Sequence, residues 1–168
     1  MITRPIQILK VTPFIVFDHF ICSDLKRTEM TMDAIRSGLS QPLLPIIPEK
    51  LIRERSFGDG EGKPRDEVFK KLPKNAETKK QLKARAKEFV TKYSSQFKDL
   101  NGKALVVSHG GFIKELLEVL SVDYKCQNLK SQDLVIAPNT SLTIINMVFE
   151  NGCPNFKCEQ LFNVDHLQ

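Results

Sequence analysis

The stretch KALVVSHGGFIKELLEVL, residues 103–120, constrains the fold of this chain more than any other segment. The apolar run Ala104–Val107 stops at Ser108-His109-Gly110-Gly111, and an amphipathic run follows. A short continuous apolar run is the pattern of a strand covered on both faces, and apolar residues at helical spacing after two glycines mark a strand–turn–helix unit. The segment FDHFIC leads into a second short strand through Cys22, and Ser23 or Asp24 is expected to cap a helix running to Gly38. QPLLPIIPEKLIRE is interrupted by prolines and reads as an edge strand. FGDGEGKPRDEVFKKL predicts a glycine-rich loop and then a short helix from about Pro64. Residues 77–97 read as the clearest helix, with Leu82, Ala86, Phe89, Val90, Tyr93 and Phe97 at helical spacing. Asn151-Gly152 predicts a hairpin between two terminal strands. Strands alternating with helices before a hairpin predict an α/β fold, a three-layer sandwich around a mostly parallel, mixed sheet.

The 168 residues suffice for one domain, residues 1–168, without repeats or a linker. With 41% apolar and 27% charged residues the chain reads as soluble and globular. No apolar run approaches the roughly 20 residues of a membrane span. Pro5, Lys10 and Pro13 break the N-terminal apolar stretch, so no secretory leader is expected. Cys22, Cys126, Cys153 and Cys158 lack CxxC spacing and are expected as reduced thiols of a cytoplasmic protein. Cys153 and Cys158 lie five apart in a strand-like stretch and should face opposite ways, which argues against a shared zinc. Residues 70–87 carry a local charge of +7 against +5 for the whole chain, so the rest sums to −2. That basicity reads first as a solvated helix face. Attraction of phosphorylated or polyanionic ligands is the sharper alternative.

Three segments carry residues suited to chemistry. His109 stands where a strand's carboxyl end meets a helix start, a place where ligands collect and N–H groups attract anions. A histidine there can meet a phosphate oxygen as a charged donor. Arg27, in CSDLKRT, lies one turn into a helix on the same rim and can grip a phosphate through two N–H groups. Taken singly, His109 also fits a strand-end cap and Arg27 a surface arginine. LIRERSFGDGEGKPRDE, residues 51–67, clusters Arg53, Glu54, Arg55, Glu61, Asp66 and Glu67 around glycines. A calcium loop is excluded, because Lys63 stands where the fifth ligand belongs. A carboxyl there suits proton transfer to a leaving alkoxide, provided burial outweighs the flanking arginines and keeps it protonated.

Together SDLKRT, LIRERSFGDGEGK, ETKKQLKARAKEF, LVVSHGGFIKELL, APNTSLTIIN and the terminal DHL resemble the histidine phosphatase (phosphoglycerate mutase-like) superfamily, in its order. The resemblance, strongest to its TIGAR-type fructose-2,6-bisphosphatases, runs from about Phe17 to the C-terminus. It implies a phosphatase of small phosphorylated sugars, fructose 2,6-bisphosphate first, acting in the regulation of glycolysis without metal or cofactor. Phosphate passes to a histidine in that family, and the phosphohistidine is then hydrolysed. The resemblance further implies that Arg27 binds phosphate, Glu54 is the acid/base, and His109 stabilises charge on the transferring group. Gly110 would bring its backbone to the phosphate, and Glu67 matches another acidic position near the pocket.

The family opens with a strand ending in Arg-His-Gly, whose histidine is the nucleophile, and no Arg-His-Gly occurs in these 168 residues. His19 lies ahead of SDLKRT and is expected to face away from the phosphate. The domain is therefore expected to be N-terminally truncated, with residues 1–15 atypical and IQILKV, residues 6–11, a possible substitute strand. Little or no turnover is expected of it. The alternatives are a non-catalytic phosphosugar binder and, more remotely, a nucleic-acid module using residues 70–87. The expected partners are a small phosphorylated sugar or inorganic phosphate, with neither nucleic acid nor membrane, and the expected state is a monomer.

Overall fold

The computed structural model describes residues 15–39, 44–98 and 102–167. Strand β1 (His19–Cys22) lies between β2 (Ile46–Pro48) and β3 (Ala104–Val107), with every pairing parallel. The alternation of side chains along β1 divides its two faces. Phe20 and Cys22 join Met32, Ile35 and Val107 in one core, against helix α1 (Lys26–Ser37). Ile21 points the other way, into a larger core with Phe89 and Phe112 from helices α3 (Lys79–Phe97) and α4 (Gly110–Val122). One residue step on one strand thus sets up three layers. The short helix α2 (Arg65–Lys70) follows the glycine-rich loop, as its position after Pro64 predicts.

β4 (Leu142–Glu150) and β5 (Cys153–Asn163) form the expected antiparallel hairpin. Asn151 and Gly152 have φ of 52° and 79°, the left-handed pair that a two-residue turn of the strands' own twist requires. Among the described residues this hairpin is a sheet of its own, joined to the chain before it by a parallel bridge, Gln127 to Lys157. β3 departs from the sequence reading in one respect. Val107 is buried, but Val106 remains 39% exposed; among the described residues β3 is an outer strand of the three-stranded sheet rather than one covered throughout. The segment 6–11 lies outside the described residues.

Two polar features of α1 and α3 have different outcomes. Neither Ser23 nor Asp24 caps α1. Leu25 holds the cap position without a side-chain bond, while Asp24 pairs with Arg53 at 2.6 Å and Ser23 turns toward His109. The tertiary partners outcompete the local one. Helix α3 has a reciprocal cap: Gln81 N donates to Thr78 Oγ1 at 3.2 Å, and Thr78 N donates to Gln81 Oε1 at 2.8 Å. Thr78→Ala is expected to lower stability by about 1 kcal/mol, read as a lower urea midpoint at unchanged slope. Part of the basic stripe on α3 is engaged within the molecule, since Lys83 and Lys87 reach Asp123 at 3.1 and 3.3 Å.

Candidate active site

His109 ends the β3–α4 turn as the residue capping α4, and it is 6% exposed. Its Nδ1 accepts a hydrogen bond from Arg27 Nε at 3.1 Å, and its Nε2 lies 2.9 Å from Ser23 Oγ. A guanidinium only donates, so Nδ1 carries the lone pair and the ring proton sits on Nε2, facing the serine. Burial pushes the imidazole pKa down to about 4; the Arg27 charge adds to this, Glu54 opposes it, and Arg85 reinforces it. His109 is therefore neutral at pH 7 in the ligand-free protein.

Glu54 arrives from the segment after the short 3-10 turn Lys50–Ile52. Its carboxylate accepts from Gly111 N at 3.3 Å, Phe112 N at 3.2 Å and Arg55 N at 3.0 Å. Two of the three donors are the first-turn N–H groups of α4, a favourable place for negative charge. The anion site expected at this helix start is thus partly filled by the protein's own carboxylate. Among the described residues Gly110 N has no acceptor.

The two glycines have separate reasons. A Cβ on Gly110 would lie 2.8 Å from Ala137 O and 2.9 Å from Ile136 Cγ2, so this glycine admits the returning chain before β4. A Cβ on Gly111 would lie 2.5 Å from Glu54 Oε1, so this one admits the capping carboxylate. Close approach was expected of a ligand; in the structure it is made by other parts of the chain.

Arg27, Glu54, His109 and Gly110 therefore meet at one place, the carboxyl ends of β1 and β3. Glu67 does not join them. It stands on the exposed side of α2, with no hydrogen bond or ion pair to the cluster. Three supporting residues were not singled out in the sequence. Ser23 was read as a helix cap, although a hydroxyl at the carboxyl end of a strand already lies on the ligand rim. Arg85 pairs with Glu77 at 2.6 Å, donates to the carbonyls of Leu51 and Arg53, and stacks over Phe112 at 5.4 Å. It is the lone arginine among the lysines of residues 79–87, a signal that composition alone offers. Ser108 Oγ donates to Ile52 O at 2.7 Å and ties the turn to the segment carrying Glu54. Among the described residues no three His, Cys, Asp or Glu side chains gather as metal ligands, and no helix is long and apolar enough to cross a membrane.

A parallel sheet between helix layers, with an arginine, a histidine and a carboxylate at its strand ends, defines an α/β protein with a charged cluster at the rim where such folds gather ligands. Residues 10–158 match the family model of the histidine phosphatase superfamily, branch 1, and the chain belongs to that superfamily, a family of phosphatases. It is 26% identical over 196 residues to the fructose-2,6-bisphosphatase TIGAR of Bos taurus, covering 81% of this chain and 72% of that protein. It is 34% identical over 109 residues to the uncharacterized phosphatase PhoE of Bacillus subtilis, spanning 62% of this chain and 54% of that one. Among solved structures it resembles YhfR of Bacillus stearothermophilus with a TM-score of 0.75 at 22% identity, over 98% of this chain and 83% of the other. The phosphoglycerate mutase of Bacillus anthracis gives 0.71 at 22% identity, over 97% and 80%. These last two likenesses bear on the fold, and they match an α/β architecture with a mostly parallel sheet.

Proposed function

We propose that the Arg27–Glu54–His109 cluster is a phosphomonoester pocket for a small phosphorylated sugar, with fructose 2,6-bisphosphate the first candidate and control of glycolysis the setting. The observation that carries this reading is the convergence of the three side chains, drawn from segments up to 82 residues apart, with Arg27 and His109 in direct hydrogen bond. The substrate named for the TIGAR relative supports the choice of sugar. Arg27's terminal nitrogens and Gly110 N would meet phosphate oxygens, and Glu54 would exchange a proton with the ester oxygen. We place the protein in the cytoplasm as a monomer.

The same geometry supports a second reading for these 168 residues, a pocket that binds without turning over. A phosphohistidine route needs an imidazole lone pair aimed at phosphorus. His109 commits its lone pair to Arg27 and directs its ring proton at Ser23. His19 stacks on Phe97 with ring centroids 4.8 Å apart, and His166 is buried without a hydrogen bond to either ring nitrogen. Neither hydrogen-bonds the cluster. The purified chain should gain thermal stability as inorganic phosphate or a sugar bisphosphate rises above its dissociation constant, and should release phosphate slowly or not at all. Hydrolysis of fructose 2,6-bisphosphate at about 1 s⁻¹ or faster, abolished by His109→Ala, would refute the impaired reading. A melting temperature indifferent to millimolar phosphate would refute the pocket itself.

A further inference from the structure

Ser23 is a wholly buried polar residue, 0% exposed, that joins both halves of the pocket. Its N–H donates to Val107 O at 3.0 Å, fixing it to the end of β3. Its carbonyl accepts from Thr28 Oγ1 at 2.9 Å, fixing it to the first turn of α1 beside Arg27. Its hydroxyl lies 2.9 Å from His109 Nε2. Since Arg27 can only donate to Nδ1, the serine oxygen accepts the Nε2 proton, and the imidazole is held in one tautomer with Nδ1 turned to the arginine.

We infer that Ser23 is a positioning residue that makes anion binding and proton uptake a single event at His109. This deepens the phosphate-pocket reading and rests on it. When an oxyanion takes Arg27, the Arg27 Nε bond to Nδ1 is released. Nδ1 then gains a proton from solvent, keeps it, and donates a hydrogen bond through it to the anion, while Nε2–H stays hydrogen-bonded to the serine oxygen. The ring becomes an imidazolium without turning, and charge balances because one proton accompanies one added negative charge. Among the described residues the charged groups facing the ring are Arg27 from α1, Glu54 from the loop before α2, and Arg85 from α3. An arriving anion offsets the two arginines, and Glu54 favours the charged ring throughout.

The test combines nitrogen-detected NMR of His109 with calorimetric titration of inorganic phosphate between pH 5.5 and 8. The ligand-free wild type should show the Nε2–H tautomer, and phosphate should bind with uptake of about one proton. Ser23→Ala should mix the tautomers, weaken phosphate about tenfold or more and reduce the proton uptake, while Ser23→Thr, which keeps the hydroxyl, should restore all three. An Nδ1–H tautomer in the wild type overturns the inference directly, even where Ser23→Ala fails to fold. So does Ser23→Ala binding phosphate as the wild type does with unchanged proton uptake. A wild type that binds no phosphate defeats the pocket reading as well, so the two failures are distinguishable.

Discussion

Replacing Arg27 with methionine is expected to weaken inorganic phosphate binding by about 10–100-fold, measured by calorimetry at low salt. Methionine preserves the length of the stem and the helix propensity of α1, so the change isolates the guanidinium. That group spends one N–H, Nε, on His109 and keeps its terminal nitrogens for an anion. Charge-assisted hydrogen bonds contribute about 1.5–3 kcal/mol, which sets the size of the loss. A lysine at the same place should recover part of the affinity and none of the geometry, because an ammonium lacks the planar fork that grips a phosphate through two N–H groups. Affinity within twofold of the wild type would remove Arg27 from the pocket.

The second large effect is on stability against pH. His109 has a pKa of about 4 when folded, lowered chiefly by burial, against about 6.5 in an unfolded chain. The unfolded state therefore takes up a proton first as the pH falls, and stability drops from about pH 7 toward pH 4. The gap corresponds to about 3 kcal/mol over the full range. The carboxylates of Glu49 and Glu77 are held below the usual range despite burial, Glu49 by Lys92, Leu51 N and Tyr93, Glu77 by Arg85. Their stability is lost lower, so the interval from about pH 4.5 to 6.5 belongs mainly to the histidine. Glu115, whose burial raises its pKa, acts in the opposite sense there. Urea titrations of the wild type and His109→Asn cancel that common background. The asparagine variant should lack the slope; equal slopes would mean that His109 is not a buried neutral ring.

Legibility in the sequence followed the range of the interactions. The helix at 79–97 was readable because its buried residues recur at one spacing, and the hairpin because Asn-Gly states its own turn. The carboxyl-end cluster was readable from segment order: once strand–turn–helix units repeat, Arg27 and His109 must share a rim. Ser23 was assigned to the wrong partner because a local cap and a bond to a residue 86 positions later look alike in one dimension. The purposes of Gly110 and Gly111 were hidden for a similar reason, since Ala137 and Glu54 approach from distant segments. Arg53 and Arg55 flank Glu54 in sequence, yet their side chains go to Asp24 and to the carbonyl of Glu77. Adjacency along the chain did not show where those two side chains would go.

Glu54 closes the first turn of α4, and the reach toward an ester proposed for it would draw its carboxylate away from the N–H groups of Gly111 and Phe112. Any movement outward strips Gly111 and Phe112 of their acceptor and loosens the end of a helix whose next residues anchor the larger core. On the role proposed for Glu54, proton delivery and the fraying of one helical turn would be the same motion. A substrate that draws the carboxylate forward must, in compensation, set its own negative oxygens where the carboxylate stood.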